Sequence, residues 1–120
     1  GRRRRAILFA SPLGKRIINA DSLMREFKFS VLCPAERLFD CDEGESVLLQ
    51  GVIDCCIEED GLLTVIDYKT DSVTGTALTE RAREYEKQLS AYKLAIERIT
   101  GKQVKQCVLY FLHAGEAVTV

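Results

Sequence analysis

The sequence has no long apolar run and no phosphate-binding loop. No stretch approaches the roughly 20 apolar residues of a membrane-spanning helix, and the apolar stretch after Arg2–Arg5 is too short for a signal peptide. We therefore expect no membrane association and a cytoplasmic location. The motif G-x-x-x-x-G-K-[ST] is also absent, so this chain cannot be an ATP-driven motor.

Histidine is scarce, and the cysteines are not paired. The chain has one histidine and five scattered cysteines without a C-x-x-C pair. Neighbouring Cys55 and Cys56 would point to opposite faces of a strand, so they cannot share one zinc ion. An odd, scattered set is typical of reduced thiols in a cytosolic protein, several of them buried. For His113, which follows a late strand, we expect a surface or turn role.

Length and composition indicate one globular domain over residues 1–120. The chain has 47% hydrophobic and 29% charged residues, without repeats or a linker. Its net charge of −1 is unevenly distributed: Gly1–Lys28 has eight basic and two acidic residues, whereas Glu36–Asp67 has ten acidic residues and one arginine. This asymmetry fits a protein that attracts a polyanion at one end and a cation in the middle; the alternative is an ordinary solvated charge pattern.

The central stretch Gly51–Lys69 is predicted to be a β-hairpin around the turn Glu58–Gly61, whose Asp-Gly pair is a strong hairpin signal. Because side chains alternate along a strand, one face of the first strand is expected to be apolar or small: Val47, Leu49, Gly51, Ile53, Cys55 and Ile57. Asp54 would lie on its other face, and Asp67 and Lys69 would share a face of the second strand. Two carboxylates and an amine suit a hard divalent cation such as Mg²⁺; the alternative is a structural Asp–Lys pair.

The remaining patterns predict the order α-α-β-β-β-α-β-β, a mixed α/β fold whose long helix crosses between the third and fourth strands. The expected flanking elements are helices over 2–10, 11–20 and 78–99 and strands over 21–32, 103–112 and 117–120. Ile18 is expected on the buried side of the second helix, and Ile99 on the buried face of the long one.

On the long helix, Gln88 and Tyr92 are four residues apart and share a face. Alone, Gln88 would be an exposed helix residue and Tyr92 a core residue. With Gly51-x-x-Asp54 and Asp67-x-Lys69 before them, they complete a pattern that resembles the PD-(D/E)xK nuclease superfamily, RecB-like branch. The segments SPLGKRI, REFKFS, IDYKTD and YEKQLSAY resemble the C-terminal nuclease domain of the A subunit of AddAB-type helicase–nucleases.

The resemblance implies a restriction-endonuclease-like core, in which a mixed central sheet is flanked by helices. It implies that Asp54, Asp67 and the backbone carbonyl of Tyr68 bind Mg²⁺, for which Mn²⁺ could substitute. Lys69 would orient or activate the attacking water and offset charge on phosphorus. Gln88 would steer the lysine, the water or the phosphate, and Tyr92 would support Gln88 or touch DNA. Glu26 matches an acidic residue of the family, with a less defined role.

The implied activity is an exonuclease-like, metal-dependent deoxyribonuclease that acts on DNA ends or single strands during double-strand-break repair. The implied partners are DNA and a helicase region or a second nuclease subunit. One departure matters: RecB-like nucleases usually carry an upstream histidine ligand, and His113 does not match it. Either the upstream helix is cut off or the site uses two carboxylates. The alternative function is therefore a catalytically inert module that binds DNA or a partner.

Overall fold

The computed structural model describes residues 11–120; the helix predicted over 2–10, with its basic run, lies outside this range. The described elements, in chain order, are helix α1 (Pro12–Asn19), strand β1 (Ser22–Pro34), a 3₁₀ turn (Ala35–Arg37), β2 (Ser46–Glu59), β3 (Leu62–Lys69), α2 (Gly75–Thr100), β4 (Val104–Phe111) and β5 (Glu116–Thr119). Neither α1 nor α2 combines the length and apolar character needed to cross a membrane.

The five strands form one sheet in the order β1-β2-β3-β4-β5. Neighbouring strands are antiparallel except β3 and β4, which are parallel. A parallel pair needs a long crossover connection, and α2 provides it between the end of β3 and the start of β4. The predicted mixed α/β fold with a helix between the third and fourth strands is confirmed.

Local sequence signals explain where the two helices begin and end. The Ser11 side chain accepts a hydrogen bond from the Gly14 backbone N–H at 3.1 Å, and Pro12 occupies the first turn of α1. Helix α2 ends at Gly101, whose φ of 71° is left-handed and whose N–H is donated to the Glu97 carbonyl. These boundaries match the predicted ones to within a few residues.

Apolar side chains form one layer on each face of the sheet. The α2 layer includes Phe29, Ile53, Cys56, Val65, Leu89, Ile96 and Phe111. The α1 layer consists of Leu13, Ile17, Cys55, Ile57, Ile66, Val108 and Tyr110. Two predictions were wrong: Ile18 is 65% exposed and Ile99 is 44% exposed. Eight-residue α1 buries only one narrow side, and Ile96 is the last fully buried residue of α2.

The predicted single apolar face of β2 was also wrong. Ile53 packs in the α2 layer, whereas Cys55 and Ile57 pack in the α1 layer on the other side of the sheet. The alternation therefore changes at Asp54. At the same level of β1, Glu26 has a left-handed φ of 49°, which interrupts regular strand geometry. Backbone irregularity thus coincides with the position of the predicted site.

Candidate active site

The sheet opens between β2 and β3 where two acidic residues face each other. Backbone pairing of these strands runs from Glu59↔Leu62 to Cys55↔Ile66, and the next opposed pair in this register is Asp54 and Asp67. Beyond that level β2 pairs only with β1, and β3 only with β4. Asp54 spans the opening, since its Oδ2 accepts a hydrogen bond from the Tyr68 backbone N–H at 2.8 Å. A fork in the sheet therefore brings one carboxylate from each strand together.

Asp67 is the buried member of this pair, with 4% of its surface exposed. Burial and the neighbouring Asp54 carboxylate raise the pKa of Asp67 to about 6, against the opposing effect of Lys69. Its Oδ2 lies 2.6 Å from Lys69 Nζ. This buried oxygen therefore has the Lys69 ammonium as its ion-pair partner. The fork thus contains a buried carboxylate whose charge is offset by a neighbouring ammonium group.

Lys69 connects the strand part of the site to helix α2. Its ammonium group donates a hydrogen bond to Gln88 Oε1 at 2.7 Å. The Gln88 amide nitrogen in turn donates to the Tyr92 hydroxyl at 3.1 Å. The structure therefore brings the predicted residues Asp67, Lys69, Gln88 and Tyr92 into one continuous row of polar contacts.

Gly51 creates the space in which Tyr92 reaches this row. The Tyr92 ring meets Phe29 edge to face, with centroids 5.6 Å apart. A Cβ atom on Gly51 would lie 3.0 Å from Phe29 Cζ and 3.1 Å from Tyr92 Cε1, closer than ordinary packing allows. Burial and the carboxylates of Asp67 and Asp54 raise the pKa of Tyr92. The tyrosine therefore lies within the electrostatic influence of both acidic residues.

Glu26 lies at the level of Asp54 on the neighbouring strand. The pairs Arg25↔Cys55 and Phe27↔Ile53 flank this position. Its side chain is exposed, and residues 11–120 contain no group of three acidic, histidine or cysteine side chains that could hold a metal ion. The structure therefore places Glu26 beside the carboxylate pair without adding it to a three-residue ligand group. His113 is exposed in the turn after β4, as predicted.

Comparison with known proteins identifies the family. The sequence profile of the PD-(D/E)XK nuclease superfamily matches residues 3–119. This chain belongs to the PD-(D/E)XK nuclease superfamily. The predicted resemblance to this superfamily and its restriction-endonuclease-like α/β fold are both confirmed.

Similar proteins are named as the A subunit of an ATP-dependent helicase/nuclease. The one from Carboxydothermus hydrogenoformans is 44% identical over 96% of this chain and 10% of its own length. That of Listeria welshimeri is 42% identical, over 86% of this chain and 9% of its own. That of Bacillus pumilus is 35% identical, over 96% of this chain and 10% of its own. The chain therefore spans about a tenth of the length of these relatives.

In this nuclease superfamily member, sequence reasoning missed two residues that contact the row. The Tyr85 ring lies over Lys69 Nζ, which is 3.9 Å from its centroid, and the Tyr85 hydroxyl contacts Asp71. Neither residue was assigned a role in the site from the sequence. The available signal was position: Tyr85 precedes Gln88 by three residues on the helix, and Asp71 follows Lys69 by two.

The chemistry of the fork suits a hard divalent cation. Asp54 and Asp67 provide carboxylate oxygens, the type of ligand that Mg²⁺ prefers. Burial and, after it, the neighbouring Asp54 raise the pKa of Asp67, and a bound cation would relieve the repulsion between the two carboxylates. A carboxylate oxygen has more than one lone pair, so Asp67 Oδ2 can contact a cation as well as the Lys69 ammonium. The donor set and its electrostatics therefore fit a divalent metal ion.

Proposed function

We propose that residues 1–120 form one metal-dependent deoxyribonuclease domain that hydrolyses phosphodiester bonds. The observation that supports this most strongly is the fork, where Asp54 and Asp67 face each other with the Lys69 ammonium 2.6 Å from Asp67. Membership in a nuclease superfamily supports the same activity. A buried carboxylate beside a second one is costly unless something compensates their charge, and a divalent cation would do so.

Asp54, Asp67 and the backbone carbonyl of Tyr68 would hold Mg²⁺, with Mn²⁺ as a substitute. When bound, the ion would supply Lewis-acid stabilisation of charge on the phosphate and ease deprotonation of a water molecule. Asp67 must be ionised to act as a ligand. Because its pKa is raised to about 6, cation binding is expected to weaken as the pH falls through that value.

The amino group of Lys69 would contact the phosphate and the attacking water. It is held by Asp67 and Gln88, and it brings a positive charge to the place where negative charge grows during hydrolysis. Gln88 donates its amide N–H to Tyr92, which leaves its carbonyl oxygen to fix Lys69. Tyr92 thereby supports Gln88. Glu26, exposed on β1 at the level of Asp54, would be an additional acidic group beside the site.

The names of the relatives support a larger context for this activity. They are called helicase/nuclease subunits, so we propose that the domain cleaves DNA ends or single strands that emerge from a helicase region in cytoplasmic DNA repair and recombination. A helicase region of the same polypeptide, or a second nuclease subunit, would be its partner. An exonuclease-like mode fits delivery of DNA ends by a motor.

A catalytically inert module that binds DNA or a partner is the second candidate. The observation that favours it is the ligand count: the described residues bring two carboxylates, and not three metal-ligating side chains, into one group. Fewer protein ligands mean weaker metal binding. This candidate retains the fold and any DNA affinity but loses the chemistry.

Cleavage of linear DNA in Mg²⁺ distinguishes the two candidates. The nuclease proposal predicts that Asp67→Ala and Lys69→Ala each lower the cleavage rate by roughly 100-fold or more, as for other residues that stabilise charge in a transition state. Matched controls are Asp60→Asn in the exposed hairpin turn and Lys105→Ala, whose ammonium pairs with Glu59. Circular dichroism confirms folding of every variant. DNA binding without cleavage, unchanged by Asp67→Ala and Lys69→Ala, would favour the inert module.

A further inference from the structure

The Lys69 ammonium is enclosed from three directions. Asp67 Oδ2 lies 2.6 Å away, Gln88 Oε1 accepts its hydrogen bond at 2.7 Å, and the Tyr85 ring centroid lies 3.9 Å from Nζ. Only 12% of the Lys69 side chain is exposed. An aromatic face attracts a cation without consuming an N–H group in a conventional hydrogen bond. Tyr85 therefore restrains the amino group and leaves its donors available.

Tyr85 is itself fixed by a carboxylate that lies outside the metal-binding pair. Its hydroxyl donates to Asp71, whose Oδ2 and Oδ1 lie 3.0 and 3.1 Å away. Arg81, one turn earlier on α2, forms an ion pair with the same carboxylate. Although burial alone would raise the pKa of Asp71, the hydrogen bonds from Arg81 and Tyr85 outweigh it and lower the pKa. The carboxylate is thus ionised at neutral pH and anchors the tyrosine.

These contacts go beyond what a core tyrosine needs. A tyrosine that only fills space needs a partner for its hydroxyl, and a water molecule would suffice at a half-buried position. Here the Tyr85 hydroxyl contacts the carboxylate of Asp71, which lies two residues after Lys69, the last residue of β3. The ring of Tyr85 covers the Lys69 ammonium. Asp71 therefore holds Tyr85, a residue of α2, and Tyr85 in turn contacts Lys69, two residues before Asp71 in the chain.

We propose that Tyr85, held by Asp71, is a positioning residue that fixes the Lys69 ammonium in its reactive orientation. The inference rests on the proposed nuclease function for its effect on catalysis, but its geometric content can be measured without catalysis. Arg81 serves the same arrangement by keeping Asp71 in place. Tyr85 does not itself contact the reacting atoms.

The first test is nuclear magnetic resonance of the 120-residue chain labelled with ¹³C-lysine, without added metal or DNA. The Lys69 ε-methylene protons, assigned by their loss in Lys69→Arg, are expected upfield of those of other lysines because they lie beneath an aromatic ring. In Asp71→Asn, both the ring and the lysine remain, but the upfield shift of the Lys69 protons is expected to become smaller. A Lys69 signal without an upfield shift, or an upfield shift that Asp71→Asn leaves unchanged, would overturn the proposal.

The second test measures kcat and KM for DNA cleavage. Tyr85→Leu is expected to lower kcat about 3- to 30-fold, the range that corresponds to a cation–π contact, with KM for DNA unchanged. Tyr85→Phe retains the ring and is expected to recover part of that loss. Asp71→Asn is expected to lower kcat in the normal chain but to have no further effect in Tyr85→Leu. Phe39→Leu, an exposed aromatic replacement in another loop, is the matched control.

The two tests separate this inference from the nuclease proposal. If Lys69→Ala abolishes cleavage but Tyr85→Leu leaves kcat unchanged, the positioning role is wrong and the nuclease proposal stands. If the chain does not cleave DNA at all, the nuclease proposal fails, and the Lys69 signal alone decides whether Asp71 and Tyr85 position the amino group. If Tyr85→Phe lowers kcat as much as Tyr85→Leu does, the role of the ring is also contradicted.

Discussion

Asp67 is the residue at which metal binding and fold stability oppose each other. Its carboxyl group is buried beside Asp54, and its pKa is raised to about 6. Between pH 4 and 6 the folded chain therefore keeps a proton that the unfolded chain has lost. By linkage, this group makes the metal-free fold less stable as the pH rises through that window. At 1.36 kcal/mol per pH unit, the upper limit of the effect is roughly 3 kcal/mol.

Replacing Asp67 by asparagine is expected to remove this cost. In EDTA, the free energy of unfolding of Asp67→Asn should exceed that of the normal chain by roughly 1–2 kcal/mol at pH 7.5 and match it near pH 4. Urea unfolding at the two pH values measures the difference, and the exposed Asp60→Asn should show no such dependence. A variant that is less stable than the normal chain at pH 7.5 would contradict the burial argument.

Gly51 is expected to affect catalysis through Tyr92. In Gly51→Ala, the new methyl group would meet the rings of Phe29 and Tyr92 at 3.0–3.1 Å, so these rings must move by a few tenths of an ångström, and we expect the Tyr92–Gln88 hydrogen bond to weaken. We expect kcat to fall several-fold with a stability loss of about 1–3 kcal/mol, typical of an overpacked site. Ser30→Ala, at an exposed position of β1, is the control. Unchanged kcat would show that Tyr92 does not support Gln88.

Some contacts of single residues could be predicted from the sequence, and others could not. The spacing of Asp67 and Lys69 fixes their common strand face, and that of Gln88 and Tyr92 fixes their common helix face, so these contacts could be predicted locally. The contacts of Tyr85 with Lys69 and Asp71 could not, because they depend on how α2 lies across β3. The left-handed φ of Glu26 was equally unpredictable, since glutamate rarely adopts it.

At the scale of elements, strand and helix limits followed from turn and cap residues, whereas the faces of β2 did not. The prediction assumed unbroken alternation from Val47 to Ile57, but Ile53 and Cys55 lie in different apolar layers. The change coincides with the fork at Asp54: residues 46–53 of β2 pair with β1 alone, whereas residues 55–59 lie beside β3. Such a change depends on three strands together, which no single strand's pattern encodes.

Helix α2 is expected to stabilise the fold through its middle turns. Leu89 is 1% exposed in the α2 layer, whereas Ile99 is 44% exposed near the helix end. Leu89→Ala should lower the free energy of unfolding by roughly 2–5 kcal/mol because it leaves a cavity. Ile99→Ala, a matched apolar truncation on the same helix, should cost less than about 1 kcal/mol. Urea unfolding compares them; equal losses would contradict the assigned packing of α2.

At the scale of the whole molecule, the chain has two acidic regions that differ in their environment. One is the half-buried pair Asp54 and Asp67 in the fork. The other is the exposed loop 40–45, which carries four acidic residues between the 3₁₀ turn and β2. Both would attract a cation by charge alone. Of these two regions, only the fork combines opposed carboxylates, a buried carboxylate oxygen and an adjacent ammonium group.

Site-specific Mn²⁺ binding therefore tests the central claim most directly. With substoichiometric Mn²⁺ at pH 7.5, paramagnetic broadening of amide signals should be strongest around Asp54 and Asp67–Lys69, should leave loop 40–45 largely sharp, and should disappear in Asp67→Asn. It should also weaken below pH 6, where Asp67 takes up a proton. Broadening centred on loop 40–45, or broadening at the fork that survives Asp67→Asn, would contradict a metal site at the opening of the sheet.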